Sequence, residues 1–181
     1  MGKIYNSITP ELSDWLMQQK VFFVATAPLA QSGHVNCSPK GGDTFRVLSD
    51  HEVAYLDLTG SGIETAAHLQ ENRRIVIMFC AFGGPPKIVR LHGTGEVIYP
   101  QDGRFAGALR AFTPHEGIRA IIRVSVTRIS DSCGHGVPLM KFQVRRDLIQ
   151  KWSTAKGPGG LAEYRASKNR LSIDGLDGCA Q

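Results

Sequence analysis

Thr59-Gly60-Ser61-Gly62, standing directly before an amphipathic stretch, is the segment of this chain best suited to hold a ligand. Glycine lets a backbone turn tightly and come close to a bound group. A helix beginning near Ile63 would add unpaired N–H donors and a partial positive charge at its start. Thr59, Ser61 and Thr65 contribute hydroxyls. Such a set suits a phosphate. The same residues would equally serve as a plain helix cap, with one Ser or Thr oxygen closing the first turn. The segment alone leaves both readings open. It lacks the G-K-[ST] ending of a Walker loop and the G-x-G-x-x-G spacing of a dinucleotide loop.

Two other places offer positive charge. Ser38-Pro39-Lys40-Gly41 follows a short strand-like segment, and Lys40 is either a point charge for a phosphate or a solvated turn lysine. Lys87-x-x-Arg90-x-His92 lies in a strand-like stretch. Alternation there puts Arg90 and His92 on one face and Lys87, Val89 and Leu91 on the other. Arg90 either reaches inward to a charge or sits on a half-exposed edge. The six histidines show no H-E-x-x-H or H-x-H spacing, and Cys133-x-His135 supplies too few ligands for zinc. No catalytic residue is assigned; His68, His92 and Cys133 are the candidates near a substrate.

The 181 residues, 42% hydrophobic and 20% charged, suit one soluble domain with a core. They exclude a collagen, a disordered chain and a disulfide-dense scaffold. A net charge of +5 permits an anionic partner without naming one. Nucleic-acid motifs are absent, so no nucleic-acid partner is expected. The longest apolar stretches, 21–27 and 75–82, fall far short of the ~18 residues of a membrane span. No signal-peptide core opens the chain. Cys37, Cys80, Cys133 and Cys179 form no C-x-x-C pair and read as unpaired thiols of a reducing cytoplasm.

The elements that must position these residues are mostly strands. A Thr9-Pro10-Glu11 start predicts a helix to about residue 19. Strands are expected over 21–27, 34–38, 45–48, 53–58, 75–82, 87–99 and 119–129, with one more possible over 139–144. Pro39-Lys40-Gly41-Gly42 is expected to break the second of these. Helices are expected over 63–72, 101–112, 147–155 and 161–169, the last two split by Gly157-Pro158-Gly159-Gly160. The final dozen residues read as a loosely held tail. This order lacks regular β-α-β alternation. It points to a mainly β fold, a small antiparallel barrel with peripheral helices. Residues 1–144 form the barrel, and 145–181 a helical extension of the same domain.

Together, His34–Gly41 (HVNCSPKG), Val53–Asn72 (VAYLDLTGSGIETAAHLQEN), Ile75–Phe82 and Ile88–Gly95 (IVRLHGTG) resemble the FMN-binding split barrel of pyridoxamine 5′-phosphate oxidase and its relatives. This covers roughly residues 8–130. Ser132–Pro138, with Trp152, Lys156-Gly157, Tyr164 and Ser172–Leu176, resembles a subgroup distinct from the oxidase proper. The resemblance implies FMN at a homodimer interface and an oxidoreductase acting on a small molecule. Carried over as flavin contacts are Ser38, Lys40, Tyr55, Leu56, Asp57, Thr59, Ser61 and Thr65, with Arg90 as a further candidate. The same barrel is implied for deazaflavin-dependent reductases and for non-catalytic flavin- or haem-binding proteins, which stay as alternatives. Two departures stand out. The oxidase has a basic pair opening the helix, where this chain has Glu64 and Thr65. The oxidase's Trp and R-x-H grip on its substrate is also missing, since Ser153-Thr154-Ala155-Lys156 follows Trp152. Pyridoxamine phosphate is therefore not the expected substrate.

Overall fold

The computed structural model describes residues 2–178; Cys179 lies outside them. Helix α1 (Pro10–Gln18) starts as its sequence demands: the Thr9 hydroxyl accepts from the Leu12 N–H at 3.3 Å, and Pro10 opens the first turn. Leu12 and Leu16 bury one face. The strands are β1 (Ile4–Tyr5), β2 (Val21–Thr26), β3 (Asn36–Gly41), β4 (Phe45–Ser49), β5 (Glu52–Leu58), β6 (Arg74–Cys80), β7 (Ile88–Ile98) and β8 (Ile118–Ser132). Among the described residues they make one eight-stranded sheet in the order β3-β2-β6-β7-β8-β5-β4, with β1 added to β8. Every pairing is antiparallel.

The sheet curls on itself because its inner face is aromatic. Phe22 of β2 and Phe45 of β4 stand second and last in the strand order, yet their ring centroids lie 5.4 Å apart. Phe79 of β6 and Tyr55 of β5 join the cluster at 5.5 and 5.6 Å from Phe22. Burying four rings this way supplies a large share of the driving force, at ~25 cal/mol per Å² of apolar surface. The opposite face of β5 and β8 holds a second cluster, Ala54, Leu56, Ile98, Phe112 and Ile121. The short helix α3 (Phe105–Leu109) flanks it.

Helix α2 (Glu64–Asn72) packs on the barrel through Ala66, Ala67, His68 and Leu69. Helix α4 (Leu148–Lys168) is interrupted at Gly157, whose φ of 63° no helix contains, so the expected split falls there. No helix among the described residues is long and apolar enough to cross a membrane.

Four expectations need correction. Pro39 and Lys40 lie inside β3 rather than breaking it. β3 ends the strand order and pairs only with β2, and an edge strand tolerates a proline that cannot donate to a ladder. Residues 139–144 form no strand; Leu139, Met140, Phe142 and Val144 stay exposed. The helix expected over 101–112 shrinks to α3. The tail is docked as far as residue 178: Leu171 bridges Asp177, and Gln70 donates to the carbonyls of Asp177 and Gly178 at 3.2 and 2.8 Å. A β-carbon at Gly178 would run into Ile63 and the Asn169 carbonyl, so glycine permits that approach.

A glycine also governs the longest pairing. The β7–β8 register shifts between His92 and Gly93, and a β-carbon at Gly93 would run into the Ser125 carbonyl. Gly93→Ala is expected to lower the melting temperature by several degrees, on the order of the ~1–3 kcal/mol that overpacking removes. Calorimetry checks this; an unchanged melting temperature would show that the two strands part easily.

Candidate functional site

Strand pairing decides which side chains meet. Lys40, Ser38 and Asn36 sit opposite Phe22, Val24 and Thr26, so they share the inner face of the sheet. On β5, Tyr55 and Asp57 point the same way and Leu56 points into the second cluster. Asp57 is the centre of the arrangement. Its Oδ1 accepts from Lys40 Nζ at 3.1 Å. Its Oδ2 accepts from Arg119 Nε at 2.8 Å and Nη2 at 2.7 Å. The Asp57 side chain is 2% exposed and that of Arg119 5%. Burial pushes the Asp57 carboxyl up, but the charges and hydrogen bonds of Lys40 and Arg119 together hold it below the ordinary range. Two cations share one carboxylate, so the triad keeps one positive charge in excess. The Lys40 side chain is 22% exposed, and its ammonium spends one of three N–H donors on Asp57.

The triad connects directly to the glycine loop. Arg119 Nη1 donates to the carbonyls of Gly62 at 2.9 Å and Gly60 at 3.4 Å. Asn169 Nδ2 donates to Gly60 O at 2.8 Å and Ser61 O at 3.3 Å. Arg165 Nε donates to the Thr59 hydroxyl at 2.9 Å. At the start of α2 the N-cap position is Ile63, and no side chain caps the helix. Of the two readings of the loop, the hydroxyl cap is therefore not realised. Thr65 instead accepts from Asn36 Nδ2 at 3.0 Å. Asn36 also donates to Thr26 at 3.3 Å and accepts from Ser38 at 2.9 Å.

Six of the nine carried-over positions thus gather around one corner: Ser38, Lys40, Asp57, Thr59, Ser61 and Thr65. The other three are placed differently. The Tyr55 ring is fully buried beside Phe22, with Lys40 Nζ 5.9 Å above it, and its hydroxyl is sealed beneath the corner beside Thr65, Asp57 and Arg119. Burial pushes that phenol well above its usual range. The Leu56 side chain is locked in the second cluster. Arg90 projects from the outer face of β7, where it donates to Ser132 Oγ at 3.0 Å, while Val89 and Leu91 fill the core. Within one chain, Arg90 and Lys40 stand on opposite faces of the sheet.

The three candidates near a substrate also separate. His68 is fully buried, with Nδ1 2.9 Å from the Thr26 hydroxyl, and burial holds its imidazole below the ordinary range against the pull of Asp174, Glu71 and Glu64. His92 is half-buried beside Arg90 on the outer face, pushed down by burial and by the charges of Arg128 and Arg90. Cys133 is exposed and unpaired.

Arg119, Arg165 and Asn169 were not singled out by the sequence. Arg119 is the extra residue of a β-bulge: Asp57 pairs with Ala120 and Leu58 with Ile118. Simple alternation places Arg119 with Ile121 on the far face, whereas the bulge turns it to Asp57. A charged residue directly before the apolar run Ala120–Ile122 was the one available hint.

Residues 8–133 match the family model described as pyridoxamine 5′-phosphate oxidase. The chain belongs to the pyridoxamine 5′-phosphate oxidase family. A member from Aspergillus flavus, the pyridoxamine 5′-phosphate oxidase family protein ustO, is 40% identical over 98% of this chain and 78% of its own length. Among solved structures, HupZ of Group A Streptococcus superposes with a TM-score of 0.52 at 24% identity, covering 67% of this chain and 91% of that one. A structure described as a putative pyridoxamine 5′-phosphate oxidase from Lactobacillus delbrueckii gives 0.53 at 19% identity, covering 70% and 98%. These superpositions establish the family's split barrel for this chain.

Proposed function

We propose that this family member is a flavoprotein that binds FMN through Lys40 and the Thr59–Gly62 loop, and that it is an oxidoreductase acting on a small molecule. The observation that carries the reading is the link from Lys40 through Asp57 and Arg119 to a glycine loop at an uncapped helix start. The residues suit a phosphate monoester: an excess positive charge, two spare ammonium donors, and helix-start N–H groups. The Thr59 hydroxyl accepts from Arg165, so its own proton is left to donate. A bound flavin would supply the electron or hydride transfer itself. The chain's part is to grip the phosphate end, to keep water from the buried triad and to orient donors.

Trp152 supports a substrate other than pyridoxamine phosphate. Its ring packs edge-on against Tyr164 at 5.0 Å, and Lys156 lies 5.4 Å from the Trp152 ring centroid. It is engaged within the C-terminal extension, which we read as one unit with the barrel. We further propose a homodimer. The exposed Leu139, Met140, Phe142 and Val144 lie on an extended segment, an apolar surface suited to a second copy. The exposed thiols Cys37 and Cys133 fit a reducing cytoplasm.

The deciding experiment is a visible spectrum of the purified protein, mass spectrometry of the released chromophore and light scattering. FMN in a dimer is the expected result. A colourless protein that takes up no added FMN overturns the flavin reading, and a monomer overturns the dimer. Glu64 supplies a second check. Its carboxylate lies 2.7 Å from the place a Gly62 β-carbon would occupy. There it opposes an incoming anion. Glu64→Gln is expected to tighten FMN binding about two- to fivefold, the effect of a charge at a helix start. Titration by flavin fluorescence measures it; weaker binding would show that Glu64 supports the loop.

A further inference from the structure

We infer that Arg119 and Asn169 are positioning residues that turn the glycine loop into an anion receptor. In a trans peptide unit the carbonyl of one residue and the N–H of the next point in opposite directions. Gly60, Ser61 and Gly62 all direct their carbonyls to Arg119 or Asn169. Those two side chains are buried, at 5% and 0% exposure, while Ser61 and Gly62 are exposed. The N–H groups of Ser61, Gly62 and Ile63 are therefore turned away from those two side chains as a row, the first two at exposed residues and the last at Ile63, 1% exposed. Successive backbone N–H groups aimed at one place make a concavity for an anion. A β-carbon at Gly60 would meet nothing within 4 Å, so that side of the loop is open.

Arg119 has a second effect. By binding Asp57 through two nitrogens it neutralises that carboxylate and leaves the Lys40 charge uncancelled. One bulged arginine thus orients the loop donors and frees the neighbouring cation. The departure at the helix start, Glu64 and Thr65 in place of a basic pair, is offset by residues distant in sequence. The recognised group is a phosphate dianion or monoester, and the assignment to a flavin phosphate rests on the FMN reading above.

The test compares FMN with riboflavin, which lacks the phosphate, on the full chain. Intact protein is expected to prefer FMN at least about tenfold, the effect of charge-assisted hydrogen bonds. Asn169→Ala and Arg119→Lys are each expected to reduce that preference at least about fivefold while riboflavin affinity stays within twofold. Arg119→Lys keeps the charge and loses the fork, so its effect reports orientation. If the Arg119 variant does not fold, Asn169→Ala carries the comparison. Inorganic phosphate probes the row without flavin. Amide NMR signals of Ser61, Gly62 and Ile63 should shift on phosphate titration and cease to shift in Asn169→Ala. Phosphate shifts without binding of either flavin would uphold the receptor and overturn the FMN reading. An unchanged preference in both variants, equal loss of both flavins, or no phosphate shift in intact protein would overturn the inference.

Discussion

Asp57→Ala is expected to cost about 3–5 kcal/mol and to lower the melting temperature by roughly 6–20 °C. Removing the carboxylate leaves Arg119, 5% exposed, with its Nε and Nη2 donors unpaired, and sets it beside Lys40 with nothing between. Breaking a buried ion cluster by deleting the shared member strands charges that were taken out of water on its account. The same carboxyl gives an acid signature. Its folded value lies below its unfolded one. A depressed carboxyl contributes stability above its unfolded value of about 3.9, and loses it as pH falls through the folded value. Intact protein should therefore lose margin on acidification below about pH 4, a phase that Asp57→Asn lacks. Thermal melts across pH decide the matter. A melting temperature within 2 °C of the intact protein would remove the triad from the account of stability.

Lys40→Met is expected to behave in the opposite way. It leaves Asp57 with Arg119, a balanced pair, so folding should change little. FMN affinity should fall about 10- to 100-fold, as expected for loss of a charge-assisted hydrogen bond to phosphate. Riboflavin affinity should stay nearly constant. The contrast between Asp57 and Lys40 is informative because the two touch each other at 3.1 Å yet are assigned different work, one structural and one toward ligand. Equal weakening of FMN and riboflavin in Lys40→Met would show that the lysine shapes the pocket rather than reads the phosphate.

Much of this was legible in the residues themselves. The Thr9-Pro10-Glu11 helix start, the alternating strands of the barrel and the break at Gly157 depend on neighbours a few positions away. Capping, period-two burial and glycine conformations are local, so a linear reading captures them. Lys40, Asp57 and the Thr59–Gly62 loop could be picked out as well, through residue type and through resemblance. Where the reading failed, non-local pairing was the cause. Pro39 breaks most strands, and only the edge position of β3 lets it stay. Residues 170–178 look like a free tail, and bonds to Gln70, Tyr99 and His34, all distant in sequence, hold them to the barrel.

The sequence by itself determined the family, the barrel and the residues proposed above to meet a phosphate. Its strand periods, its glycine loop and its one well-placed lysine are enough for that. Only the tertiary structure decided what that corner is made of. It sealed Tyr55 in the aromatic core, turned Leu56 to the second cluster and put Arg90 on the outer face. It also brought in Arg119 and Asn169, which lie 57 and 108 positions from the loop residues they hold. The reason is physical. A single extra residue in β8 reverses the face on which Arg119 emerges, and no local pattern records which strand β8 will pair with at that point.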